Sequence, residues 1–209
     1  MEVLFSFLIG LIGVAVGLGA WRREHVGRRK IEVAEEALTL FYEASDALRF
    51  MRNPTVLVTD DETELVRREG ELDDAYDARR RASIVFVRHE QRREVFHKLF
   101  AQRYKLMALV GSEAGEPIEV IQRLVSQVLL SGQSLAHLWG RTNMPSSDEA
   151  IARHQNLIET YEASFWDGYT TEDAINTQLN NATTEIENIC RNAIDGSRLK
   201  LRKPIIWII

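Results

Sequence analysis

The chain has little that would support a disulfide-stapled, β-rich or motif-driven fold. It carries one cysteine, Cys190, in 209 residues. No intramolecular disulfide can form, so small secreted disulfide scaffolds are excluded and a reducing compartment is the natural setting. Only four prolines occur, and three stand where helices should break. β-Branched runs are scarce, whereas Ala, Leu, Glu, Arg and Gln are abundant, which favours helix. There is no internal repeat or low-complexity tract, and no glycine-rich phosphate loop, G-x-S-x-G elbow or P-loop.

Metal and nucleophile signatures are equally thin. Glu94-Val-Phe-His97 matches E-x-x-H, but none of His25, His89, His137 and His154 supplies the second copy that a di-iron bundle requires. His89-Glu90 begins like H-E-x-x-H, but Arg93 stands in place of the second histidine. Glu94 and His97 therefore read as residues of a solvated face. Cys190 beside Ile189 reads as a core thiol, and His154 between Ile151 and Ile158 as a partly buried, hydrogen-bonded bundle residue. No catalytic residue, cofactor or metal is assigned.

What the chain does have is an apolar beginning. From Val3 to Trp21 there is no charge, and Arg22, Arg23, Arg28, Arg29 and Lys30 follow. Some 20 residues at a rise of about 1.5 Å match a hydrocarbon core of roughly 30 Å. A cleaved signal peptide is the competing reading, with Gly17-Leu18-Gly19 as its cleavage site, but it would need a basic n-region where the chain has only Met1-Glu2. Cations on the C-terminal flank predict a single span, N-terminus outside and domain in the cytoplasm, in the inner membrane if the source is bacterial. Within the span, Ser6, Gly10, Gly13, Gly17 and Ala20 are spaced 4, 3, 4, 3 and fall in a stripe about 80° wide. Such a face allows close backbone approach, so self-association through it is expected.

The fold class expected is all-α, an N-terminal transmembrane helix followed by an antiparallel bundle of about five helices. Residues 1–21 form the anchor, 22–52 a juxtamembrane helix continuous with it, 53–197 the bundle and 198–209 a basic-hydrophobic tail. Ala34, Leu38, Phe41, Leu48 and Met51 mark the first helix, which Asn53-Pro54 ends. Thr55–Val58 reads as an extended connector. Thr59-Asp-Asp-Glu62 has the form of a capping box, opening a second helix from about Asp60 to Val110, acidic first and basic after Arg79, with Gly70 a candidate bend. Pairs such as Asp77 with Arg81 would bridge that helix. Gly111 and Gly115 make a turn, and Pro117 starts a third helix running to about Trp139. Ser146-Ser-Asp-Glu149 caps a fourth, with Ile151, Leu157, Ile158, Tyr161, Phe165 and Trp166 as its apolar face. A fifth starts near Thr171. Its seam of Ile175, Leu179, Ala182, Ile186, Ile189 and Ala193 suits intramolecular packing.

The basic half of the second helix follows an acidic half, and the whole chain carries a net charge of −5, so nucleic acid is not an expected partner. The tail ends in Ile205, Ile206, Trp207, Ile208 and Ile209 after Arg198, Lys200, Arg202 and Lys203. It is too short to span and too apolar to leave in water. It can dock at the bilayer interface, on the protein itself (against Thr55–Val58 or a groove of the bundle), or on a partner protein. The functional expectation is a non-enzymatic, membrane-tethered cytoplasmic scaffold, sensor or assembly subunit, with the bilayer and further copies of itself as partners. The alternatives are a membrane-perturbing effector acting through its associating helix and an enzyme with an unrecognised site. The likeness to single-pass proteins with a helical domain is one of architecture only.

Overall fold

A computed structural model describes residues 2–55, 65–140 and 147–202, with the side chains of residues 1–16, 20, 23 and 199–209 excepted. The described residues are all-helical. Six α-helices follow in order: α1 Glu2–Arg52, α2 Asp73–Ala82, α3 Ile84–Leu109, α4 Glu116–Leu138, α5 Asp148–Phe165 and α6 Ala174–Arg202. A short 3-10 turn, Ser112–Gly115, joins α3 to α4.

The core is organised around the second half of α1. Val33, Ala34, Ala37, Phe41, Ala44, Ala47, Leu48 and Met51 are all buried, and α3 and α6 pack against them. Small residues alternate with Phe41, Leu48 and Met51 along this face, so neighbouring helices approach closely while the large side chains fill the space between. The α6 seam lies in the same core through Ile175, Leu179, Ala182, Ile186 and Ala193. Ile189 is only partly buried, and Cys190 beside it takes the inner position. On α4, Ile121, Leu124, Val128 and Leu135 are buried, as the helical spacing requires.

Cross-helix bonds set the directions. Arg49 reaches Asn180, Tyr42 reaches Glu187 and Glu35 pairs with Arg198. Falling numbers on α1 meet rising numbers on α6, so the two run antiparallel. Arg88 sits by Phe50 and Asn53, and Gln102 by Glu36 and Val33, so α3 is antiparallel to α1 as well. Beyond Val33 toward the N-terminus, no described side chain of α1 is buried, back to Gly17. The helix backbone continues to Glu2, about 45 Å of helix beyond the packed part.

Several expected boundaries move. The helix expected from Asp60 to Val110 is two helices, and residues 65–72 before them are not helical. Gly70, at φ +73°, turns the chain in a conformation open to glycine. The segment is then held against α2: Arg79 forks onto both carboxylate oxygens of Glu71 (2.8 and 2.7 Å), and Tyr76 Oη donates to the Leu65 carbonyl. Tertiary pairing of the acidic stretch overrides its helical propensity. Ser83 separates α2 from α3, its Oγ donating to the Arg80 carbonyl at 2.7 Å. Asp77 lies 3.8 Å from Arg80, while Arg81 stacks over the Trp139 ring at 5.4 Å instead of pairing with Asp77. The described cap of α5 is Ser147, whose side chain accepts from the Ala150 amide. α6 begins at Ala174 because Asp173 accepts from the Asn176 amide there. Leu157 of α5 is exposed, not buried. The capping box Thr59–Glu62 and Ser146 lie outside the described residues.

Candidate functional site

The end of the bundle from which α1 projects carries the residues singled out by sequence. Ser6, Gly10, Gly13, Gly17 and Ala20 all lie on the continuous α1 helix, whose periodicity puts them on one face. The side chains of Ser6 and Ala20 lie outside the described residues. A Cβ added at Gly17 meets nothing within 4 Å, so this face is unfilled by the chain itself there. Leu18, Trp21 and Val26 are exposed, and Trp21 stacks on His25 at 5.6 Å.

Of the flanking cations, Arg22, Arg28 and Arg29 are exposed and Lys30 is half-exposed, while the Arg23 side chain lies outside the described residues. Arg28 bonds Glu24 at 2.6 Å and Arg29 bonds Glu32 at 3.1 Å. These i,i+4 and i,i+3 pairs contribute little energy at such exposure. Arg22 and Lys30 have no carboxylate partner among the described residues. Ile205, Ile206, Trp207, Ile208 and Ile209 lie outside the described residues. α6 extends to Arg202, so the stretch from 198 begins as helix. Among the described residues, no helix is long and apolar enough to cross a membrane. The apolar run itself falls largely on residues whose side chains are not among them.

The opposite end holds a buried polar latch that sequence reasoning missed. Arg52, last residue of α1, is fully buried. Its Nε donates to the Ser164 carbonyl at 2.9 Å, and one terminal nitrogen donates to the Ala163 and Trp166 carbonyls at 3.1 and 2.8 Å and to Asp173 Oδ2 at 2.7 Å. The guanidinium thus fills the acceptor positions that the end of α5 leaves open. Its positive charge also meets the negative end of that helix. In return the Asp167 amide donates to the Arg52 carbonyl at 2.8 Å. Burial pushes the Asp173 carboxyl up, but hydrogen bonds from Arg52 and from the Asn176 and Gly168 amides, with the Arg52 charge, more than offset this and leave it below its usual value. Arg88 is likewise buried, donating to the Phe50 and Asn53 carbonyls and lying 5.4 Å over the Phe50 ring. A signal for Arg52 existed: it lies four residues beyond Leu48, on an otherwise apolar stripe.

Glu94 and His97 are exposed, and Glu94 pairs with Lys98 at 2.9 Å, which lowers its pKa through that hydrogen bond. His89 stacks on Phe96 at 5.5 Å, and burial lowers its pKa. Cys190 is buried, and desolvation raises its thiol to about 11, the wrong direction for a nucleophile. His154, expected to be partly buried and hydrogen-bonded, is buried, and its Nδ1 has no hydrogen-bond partner among the described residues. A cleft of about 380 Å³ between the 65–71 turn, α2 and α4 is lined by Arg68, Glu71, Arg79, Gln133 and His137 with Phe86. Its carboxylate is engaged: the hydrogen bond from Arg79 holds Glu71 down at about 2. No group of three or more His, Cys, Asp or Glu side chains able to hold a metal occurs among the described residues.

No protein-family model matches the chain, and no curated protein or solved structure matches it either.

Proposed function

We propose that this is a membrane-tethered helical protein. Its bundle acts as a scaffold, sensor or assembly subunit on the cytoplasmic face, without enzymatic activity. One observation carries the reading. α1 is a single unbroken helix whose second half is the centre of the core and whose first half leaves the bundle. A helix built this way couples whatever holds residues 3–21 rigidly to the domain, because no hinge separates them. The uncharged sequence of that first half, exposed Leu18 and Trp21, and the cations from Arg22 onward suit a bilayer and its headgroup zone. The cation flank favours an N-out, C-in orientation, and the Ser6–Ala20 face favours assembly of copies within the membrane.

Reporter fusions test the topology. A fusion after Arg202 should be active only with a cytoplasmic reporter, and a signal from a periplasmic one refutes the orientation. Flotation of the full chain with neutral phosphatidylcholine vesicles tests the anchor itself. Protein that stays at the bottom of the gradient refutes tethering by residues 3–21.

A further inference from the structure

The cleft between the 65–71 turn, α2 and α4 holds more donors than the fold uses. Glu71 is the one carboxylate among the described residues that line it. Its oxygens already accept three hydrogen bonds, from Arg79 Nε at 2.8 Å, from Arg79 Nη2 at 2.7 Å and from the Arg68 amide at 3.0 Å. Arg79 Nη2 also donates to the Val66 carbonyl. That leaves Arg79 Nη1 and the whole Arg68 guanidinium without an acceptor among the described residues. The side chains of Gln133 and His137, one turn apart on α4, make no hydrogen bond among them either. Two guanidiniums against one saturated carboxylate make the cleft cationic, in a chain of net charge −5. Donors gathered on one hollow and unmatched by acceptors suit an anion.

We propose that this cleft binds a small monocarboxylate with an aryl or short alkyl body, its carboxylate on Arg68 and its body against Phe86. The rest of the lining is apolar: Leu65, Ala75, Ala82 and Ala136 beside the Phe86 ring, which is 42% exposed. That ring is seated over α4, where a Cβ added at Gly132 would come within 3.2 Å of it. α2 closes on the end of α4 so tightly that a Cβ at Gly140 would lie 3.0 Å from Ala75 Cα. The walls are therefore set before any ligand arrives, which spares an occupant the cost of ordering them. A volume of about 380 Å³ is at the small end of the range for small-molecule sites. Charge decides between a carboxylate and a phosphate. The lining carries one positive charge in excess, which one negative charge balances. Glu71, held down at about 2 by Arg79, stays ionised and repels a second. The site stands apart from membrane tethering, because α1 contributes no residue to it. An occupant held by Arg68 on the turn and by His137 on α4 would tie the 65–71 segment to α4, giving the bundle a chemical input of its own.

The experiment titrates the full chain in mild detergent at neutral pH with para-fluorobenzoate, followed by fluorine NMR. The probe should bind saturably at millimolar concentrations or below. Para-fluorobenzyl alcohol, the same body without the charge, should bind roughly tenfold more weakly, and so should para-fluorobenzoate to Arg68→Gln, since each loses a charge-assisted hydrogen bond. Ala136→Phe fills the hollow and should remove binding. Arg123→Gln, an exposed cation elsewhere on α4, should leave it unchanged, and circular dichroism should show the same helix content in all three variants. Inorganic phosphate at equal concentration should not displace the probe. Absence of saturable binding overturns the proposal. So does binding that Arg68→Gln retains in full, because the probe then sits elsewhere or in the micelle. Equal affinity for the alcohol removes the anion from the recognition, and displacement by phosphate overturns the monocarboxylate class. If Ala136→Phe loses helix, Arg68→Gln, whose side chain bonds nothing among the described residues, still decides.

Discussion

Replacing Arg52 is the sharpest test of how the bundle is closed. Its guanidinium joins the last turn of α1 to the last carbonyls of α5 and to Asp173 at the start of α6. Arg52→Met preserves much of the apolar stem but leaves the Asp173 carboxylate, whose side chain is 9% exposed, without its cation and three carbonyls without a donor. Removing one partner of a buried pair costs about 3–5 kcal/mol, a large share of a typical stability of about 5–15 kcal/mol. Arg52→Lys keeps the charge but not the planar fork, and should cost about 1.5–3 kcal/mol. Asp173→Asn should cost less than Arg52→Met, and the double variant less than the sum, with a coupling of about 1–3 kcal/mol. Urea unfolding of the full chain in mild detergent, followed by tryptophan fluorescence, reads all four, because Trp166 lies in the latch. The pH dependence adds an independent mark. The Asp173 carboxyl is depressed in the folded state, so its stabilisation is complete above the unfolded value of about 3.9 and is lost as pH falls through the lower folded value. That acid-side loss should shrink in Arg52→Met. A cost below about 1 kcal/mol for Arg52→Met, with the acid limb unchanged, would refute the latch. If Arg52→Met does not fold, Arg52→Lys supplies the measurement.

Gly132→Ala places a methyl 2.7 Å from Val85 Cγ2 and 3.2 Å from the Ala82 carbonyl; it should cost about 1–3 kcal/mol by overpacking, checked by thermal unfolding. Cys190, buried and raised to about 11, should resist maleimide at pH 8 in the folded chain and react once urea unfolds it; rapid labelling of native protein contradicts its place in the core. Gly13→Leu with Gly17→Leu should weaken self-association in detergent cross-linking by blocking backbone approach. Since a Cβ at Gly17 meets nothing within the chain, bundle stability should be unchanged, and undiminished cross-linking removes the small-residue face as the interface.

Local rules read well where one neighbour sufficed. The stripe of α6 was legible because a helix that buries one face repeats its apolar residues at helical spacing, except that Cys190, and not Ile189 of the expected seam, takes the inner position. The end of α1 was legible in Asn53-Pro54. The acidic stretch before α2 was misread as helix because propensity knows nothing of Arg79, which draws Glu71 back onto α2. Leu157 was misread because the apolar pattern of α5 spans more of its circumference than α4 covers. Arg81 had a carboxylate at the right spacing but also Trp139, a residue far along the chain, within reach.

By itself, then, the amino-acid sequence determined the helical class, the buried stripes and the apolar, cation-flanked beginning of the chain. These depend on composition and on periods of a few residues. Only the tertiary structure decided that α1 is at once core strut and projecting arm. The same holds for Arg52 closing α5 onto α6, and for α6 running back toward the end from which α1 leaves. Each of these depends on which helix lies beside which and in which direction, and residues more than a hundred positions apart, such as Arg52 and Asp173, carry no local sign of each other.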